Sequence, residues 1–191
     1  MALKLFRSTG YSSILSPGET RLAMHPGWMV AAVSGWIGLV CNVALWRQMW
    51  VWPDDGAGLV RAIMLGILVG AVCAVVLSVL GWRKTLKPAA TLLIFLAALG
   101  ASKIWGEALP VDATLLDKGL SSLLLPSWAS LLRWQVSALL AALAVVPTVW
   151  IWHTRVRRLS GPQQLGVNIT GVLLATALAI ASGFLLLRGL V

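Results

Sequence analysis

Few residues in this 191-residue chain have the types and spacing that chemistry needs. There are two histidines, His25 and His153, and two cysteines, Cys41 and Cys73. Neither histidine stands beside a cysteine or a carboxylate cluster, so a metal site built on either lacks its remaining ligands. Both cysteines lie inside apolar runs, where a thiol behaves as a small hydrophobe and signals no disulfide framework. No glycine-rich phosphate loop, HExxH helix or GxSxG elbow occurs. Two places remain. Asn42 is an amide within an apolar run, read either as an interhelical hydrogen bonder or as a substrate contact. The stretch 106–122 gathers Glu107, Asp112 and Asp117 with Lys118 and the hydroxyls of Thr114, Ser121 and Ser122. Such a set suits a zwitterionic headgroup, with carboxylates meeting an amine and lysine a phosphate; the same residues also make an ordinary solvated loop. Asp112-Ala113-Thr114, followed by Leu115, Leu116 and Leu120, further predicts a short amphipathic helix on a membrane surface.

The elements that must position these residues are set by composition. The chain is 59% hydrophobic and 11% charged, with a mean hydropathy of +0.90. A soluble domain carries about 25% charged residues, so a soluble globular fold and a disordered chain are both excluded. After a tail at 1–27, five apolar stretches approach or exceed the ~20 residues that span a bilayer: 28–46, 59–81, 89–105, 128–152 and 165–187. None holds an Asp or Glu. The predicted fold is an all-α integral membrane protein, a bundle of five transmembrane helices. Short alternating segments of the barrel type are missing. Pro88 and Pro162 mark helix starts, and Pro147 predicts a kink in the fourth span. The first 26 residues lack the pattern of a cleaved signal peptide, so the first span is expected to be retained.

Charge predicts orientation. The tail and the loops after spans two and four carry Lys4, Arg7, Arg21, Arg83, Lys84, Lys87, Arg155, Arg157 and Arg158 against Glu19. The opposite set carries Arg47, Arg61, Lys103, Lys118, Arg133 and Arg188 against Asp54, Asp55, Glu107, Asp112 and Asp117. The positive-inside rule then places the N-terminus in the cytoplasm and the C-terminus outside. The net charge of +9 is read as topology and contact with lipid headgroups; no nucleic-acid-binding motif accompanies it. Nine of the eleven tryptophans fall at predicted span ends as an aromatic belt, while Trp36 and Trp134 read as deeper. Gly66, Gly70, Ala74 and Ser78 recur every fourth residue in the second span, and Ala31, Gly35 and Gly38 line the first. Such faces predict close helix packing within the chain, or between two copies of it.

Residues 86–158 resemble the N-terminal membrane domain of the lipid A phosphoethanolamine transferases of polymyxin resistance. The resemblance is carried by LKPAATLLIFLAALGASKIWG, the VDATLLDKGLSS loop, SLLRWQVSALLAALAVVPTVWIW and the connector HTRVRRLSGPQQLGVNI. The first span adds Cys41-Asn42-Val43-Ala44-Leu45-Trp46-Arg47, and the similarity extends from about residue 28 to the end. It implies five spans in the inner (cytoplasmic) membrane of a bacterium, with a cytoplasmic N-terminus. It also implies a periplasmic sulfatase-like catalytic domain beyond the fifth span, in which a zinc-bound threonine carries phosphoethanolamine from phosphatidylethanolamine to lipid A.

The sequence ends at Val191, where that domain is expected to begin, so the chain is expected to have no catalytic residues and no cofactor of its own. The family's loop Asn, Thr and Glu, associated with the lipid substrate, fall at Lys118, Ser122 and Pro126, of which only Ser122 keeps a hydroxyl. Asp112 and Asp117 remain as carboxylates for an ethanolamine amine. The resemblance therefore implies a membrane anchor that presents phosphatidylethanolamine through Asp112, Asp117, Lys118, Ser122 and Asn42. Its partners would be a periplasmic catalytic domain or an intact transferase. Two alternatives stay open: a non-enzymatic scaffold or regulator paired with such a transferase, and a small transporter.

Overall fold

A computed structural model describes residues 23–50, 56–82, 84–106, 133–157 and 159–188. Helix α1 (Pro26–Gly35) opens at His25, whose backbone is extended and whose Nδ1 accepts the Gly27 N–H at 3.2 Å. Pro26 occupies the first helical position, where no N–H is missed. The helix widens into a π-turn (Trp36–Val40), breaks at Cys41-Asn42 and resumes as α2 (Val43–Trp50). Helices α3 (Gly56–Val79) and α4 (Leu86–Gly106) follow. Next come α5 (Trp134–Leu140), a second π-turn (Ala141–Val145) and α6 (Val146–His153), which run on from one another. The last helix is α7 (Gly161–Leu187).

Four stretches are long and apolar enough to cross a bilayer: Gly56–Val79, Leu86–Trp105, Trp134–His153 and Gly161–Leu187. The pair Pro26–Val40 and Val43–Met49, bent by 50°, makes a fifth when counted as one. At 1.5 Å per residue, 20 residues cover about the 30 Å of a hydrocarbon core. Two details differ from the sequence reading. The first span is a broken helix rather than a continuous one. The fourth begins at Trp134, because Arg133 is extended at ψ 120°. Trp134 therefore stands at a helix end, 76% exposed, as an interfacial aromatic does, and not deep in the span.

The kink predicted at Pro147 takes the form of the π-turn just before it. Proline has no N–H to offer the carbonyl four residues back, which is that of Leu143. That carbonyl instead accepts the indole Nε1–H of Trp36 at 3.1 Å, which explains why this tryptophan sits away from the membrane interface.

Helix α3 packs against the first span and α7. Gly38 faces Gly66 so closely that a β-carbon on either would overlap the other's carbonyl oxygen, and Ser34 lies beside Gly70. Along α7, Gly171 meets the Ser78 hydroxyl and Gly183 meets Leu68. On α4 every fourth residue, Leu86, Ala90, Ile94 and Ala98, is buried. These join Met29, Val33 and Ile37 of the first span and Leu143, Ala144 and Ile151 of the fourth in one core. A single parallel bridge ties Met24 to the α6–α7 connector: Met24 N–H donates to Arg155 O and Arg157 N–H to Met24 O, both at 2.8 Å.

Candidate functional site

Asn42 is the one sequence-predicted site residue among those described. It is 7% exposed. Its Nδ2 donates to Ala62 O at 2.7 Å, and its Oδ1 accepts the Leu45 N–H at 3.2 Å. Asn42 thus links the break in the first span to α3 and caps the first turn of α2, as short polar side chains do at helix starts. The interhelical hydrogen bond of its sequence reading is present. The surrounding groups complete the bend. Trp46 Nε1 donates to Val40 O at 3.0 Å, taking a carbonyl that the break releases. A guanidinium N–H of Arg47 donates to Ile104 O at 2.6 Å, in the last turn of α4. Asp112, Asp117, Lys118 and Ser122 lie outside the described residues.

At the opposite end the chain is stapled by polar groups that the sequence reading did not single out. Gln164, buried in the first turns of α7, donates through Nε2 to Gly81 O at 2.7 Å and to Asn168 Oδ1 at 2.9 Å. Lys87 Nζ donates to Thr154 O at 2.8 Å and lies 5.8 Å from the Trp152 ring centroid, closing the C-terminus of α6. The available signal was Gln164 and Asn168 four residues apart in an otherwise apolar run, a spacing that puts both on one helix face.

A third feature begins at this same end. A groove of about 930 Å³ runs between α1 and α7 with α3 as its floor. Its mouth holds His25, Arg157 and Gln163, and its depth is lined by small and aliphatic residues such as Gly35, Gly70 and Leu178. The small residues had signalled only helix packing; nothing in sequence says which of them a neighbouring helix leaves uncovered.

The described residues offer no ligand set for the zinc that the family resemblance implies. No three His, Cys, Asp or Glu side chains converge among them. Cys41 and Cys73 are free thiols packed against the core, and His25 Nδ1 is engaged by Gly27. No family model, curated protein or solved structure matches this chain.

Proposed function

We propose that the chain is a phosphoethanolamine-transferase-like membrane domain of the bacterial inner membrane. In this reading it anchors a periplasmic catalytic part and presents phosphatidylethanolamine for transfer to lipid A. The N-terminus lies in the cytoplasm. Lys84, Lys87, Arg155 and Arg157 share the end of the bundle where α1 begins, as the positive-inside rule asks of cytoplasmic loops.

The observation that carries the reading is the bond from Arg47 to Ile104 O at 2.6 Å. It fixes the Asn42 bend against the last turn of α4, two residues before Gly106, from which the acidic loop leaves. In the proposed donor site, Asp112 and Asp117 meet the ethanolamine amine, and Lys118 and Ser122 meet the phosphate.

Native mass spectrometry of the detergent-purified chain with added phosphatidylethanolamine tests this. Asp112→Ala and Asp117→Ala should each lower the bound fraction at least fivefold while thermal unfolding stays unchanged. Equal binding by both variants would remove the donor site and leave only anchoring.

A further inference from the structure

Ser78 differs from other serines in these helices. Ser102, Ser137 and Ser182 each donate to a carbonyl within the preceding turn, the usual outlet for a helical hydroxyl. Ser78 is 3% exposed, yet its hydroxyl forms no hydrogen bond among the described residues. Nor is its oxygen sealed off, as that of Ser34 is. The side chain lines a cavity of about 50 Å³ where the start of α1 meets α3 and α7, together with Gly81, Gln164, Asn168 and Gly171. A β-carbon at Gly171 would come within 2.6 Å of the Ser78 oxygen, so glycine keeps that side of the hydroxyl open. Gln164 sets the polarity of the cavity. Its Nε2 faces two acceptors, Gly81 O and Asn168 Oδ1, and turning the amide round would set Oε1 against the Gly81 carbonyl. Asn168 Nδ2 is thereby left as a donor and Gln164 Oε1 as an acceptor, and neither forms a hydrogen bond among the described residues.

We infer that this cavity is a water site, in which one or two water molecules link Ser78 Oγ on α3 to Asn168 Nδ2 and Gln164 Oε1 on α7. The volume suits them: a water needs about 10–15 Å³ of such space and occupies about 30 Å³ in the liquid. The chemistry selects them as well. Water accepts from the Asn168 amide, donates to the Gln164 carbonyl, and can do either with the hydroxyl. A metal cation would be turned away by the N–H groups of Gln164 and Asn168. An anion would find no Lys, Arg or His among the residues that line the cavity. A dry cavity would leave three polar groups without partners. The polar staple at the start of α7 thus continues through solvent to the last turn of α3. This site stands apart from the proposed donor loop and does not depend on it.

The chain has two asparagines, Asn42 and Asn168, so isotope-labelled asparagine gives two side-chain amide signals, which Asn42→Leu tells apart. In nuclear magnetic resonance of the full chain in lipid nanodiscs, the Asn168 amide protons should show cross-peaks to water. Their sign in the rotating frame should be that of dipolar contact with a resident molecule and not of exchange. Ser78→Ala should weaken them at least threefold. Ser78→Ala and Asn168→Ala should each lower the unfolding midpoint. The double variant should fall by less than the two shifts added, because groups with no direct bond share the bridging water. Replacing sodium by choline in the buffer should change neither the cross-peaks nor the midpoint. A wild-type spectrum without the dipolar cross-peak overturns the assignment, whether or not the variants fold. Cross-peaks that persist in Ser78→Ala, midpoint shifts that simply add, or a midpoint raised by sodium would overturn it too.

Discussion

The indole Nε1 of Trp36 donates to the carbonyl oxygen of Leu143, 107 residues further along the chain, at 3.1 Å. Each residue lies in or beside a helical irregularity. Trp36 begins the π-turn of the first span, and Leu143 sits within that of the fourth. Pro147 creates the need by withholding an N–H from Leu143, and Trp36 meets it. One bond therefore joins the α1–α3–α7 side of the bundle to the α4–α5–α6 side.

Trp36→Phe should destabilise the fold by about 1 kcal/mol, since an interior carbonyl loses its donor while most of the ring volume remains. In a Pro147→Ala background the restored N–H can reach Leu143, and the same change should cost less than half as much. Thermal unfolding of the four proteins in detergent gives the coupling. Equal costs in both backgrounds would separate Trp36 from Pro147.

Gly66→Ala should be among the most damaging single-methyl additions to this chain, costing about 2 kcal/mol or more. Its β-carbon would collide with the Gly38 carbonyl and come within 2.6 Å of Asn42 Nδ2. Gly100→Ala is the control: nothing lies within 4 Å of its β-carbon, and alanine favours helix, so its unfolding midpoint should hold or rise. A Gly66→Ala variant as stable as the Gly100→Ala variant would contradict the close approach.

Asn42→Leu should cost about 1–2 kcal/mol by removing both the bond to Ala62 O and the cap on Leu45 N–H. Unfolding midpoints report it. A variant of unchanged stability that had lost only phosphatidylethanolamine binding would move Asn42 from the frame of the bundle into the headgroup site.

Gln164→Leu should lower stability by about 1 kcal/mol, because Gly81 O and Asn168 Oδ1 both lose their donor. The neighbouring Gln163→Leu should change it little, as that exposed side chain accepts only a long 3.4 Å bond from Ser160 N–H. Reversed effects would misassign which glutamine staples α7 to the end of α3.

Apolar run length and the exclusion of acids from the spans determined by themselves that this is an all-helical chain with up to five crossings. Those properties are local, and the cost of stranding backbone or charge in hydrocarbon leaves few alternatives. Sequence also marked Asn42 as the buried amide and Pro147 as the site of distortion. It did not show that the first span breaks at Asn42, that Trp36 answers Pro147, or that the fourfold small-residue face of the second span is shared between the first span and α7. Each of those outcomes depends on which carbonyl or glycine a partner from far along the chain approaches, and tertiary packing alone decides that. The groove arises the same way: the stripes of small residues were visible, but only the packing of α1, α3 and α7 left part of them uncovered.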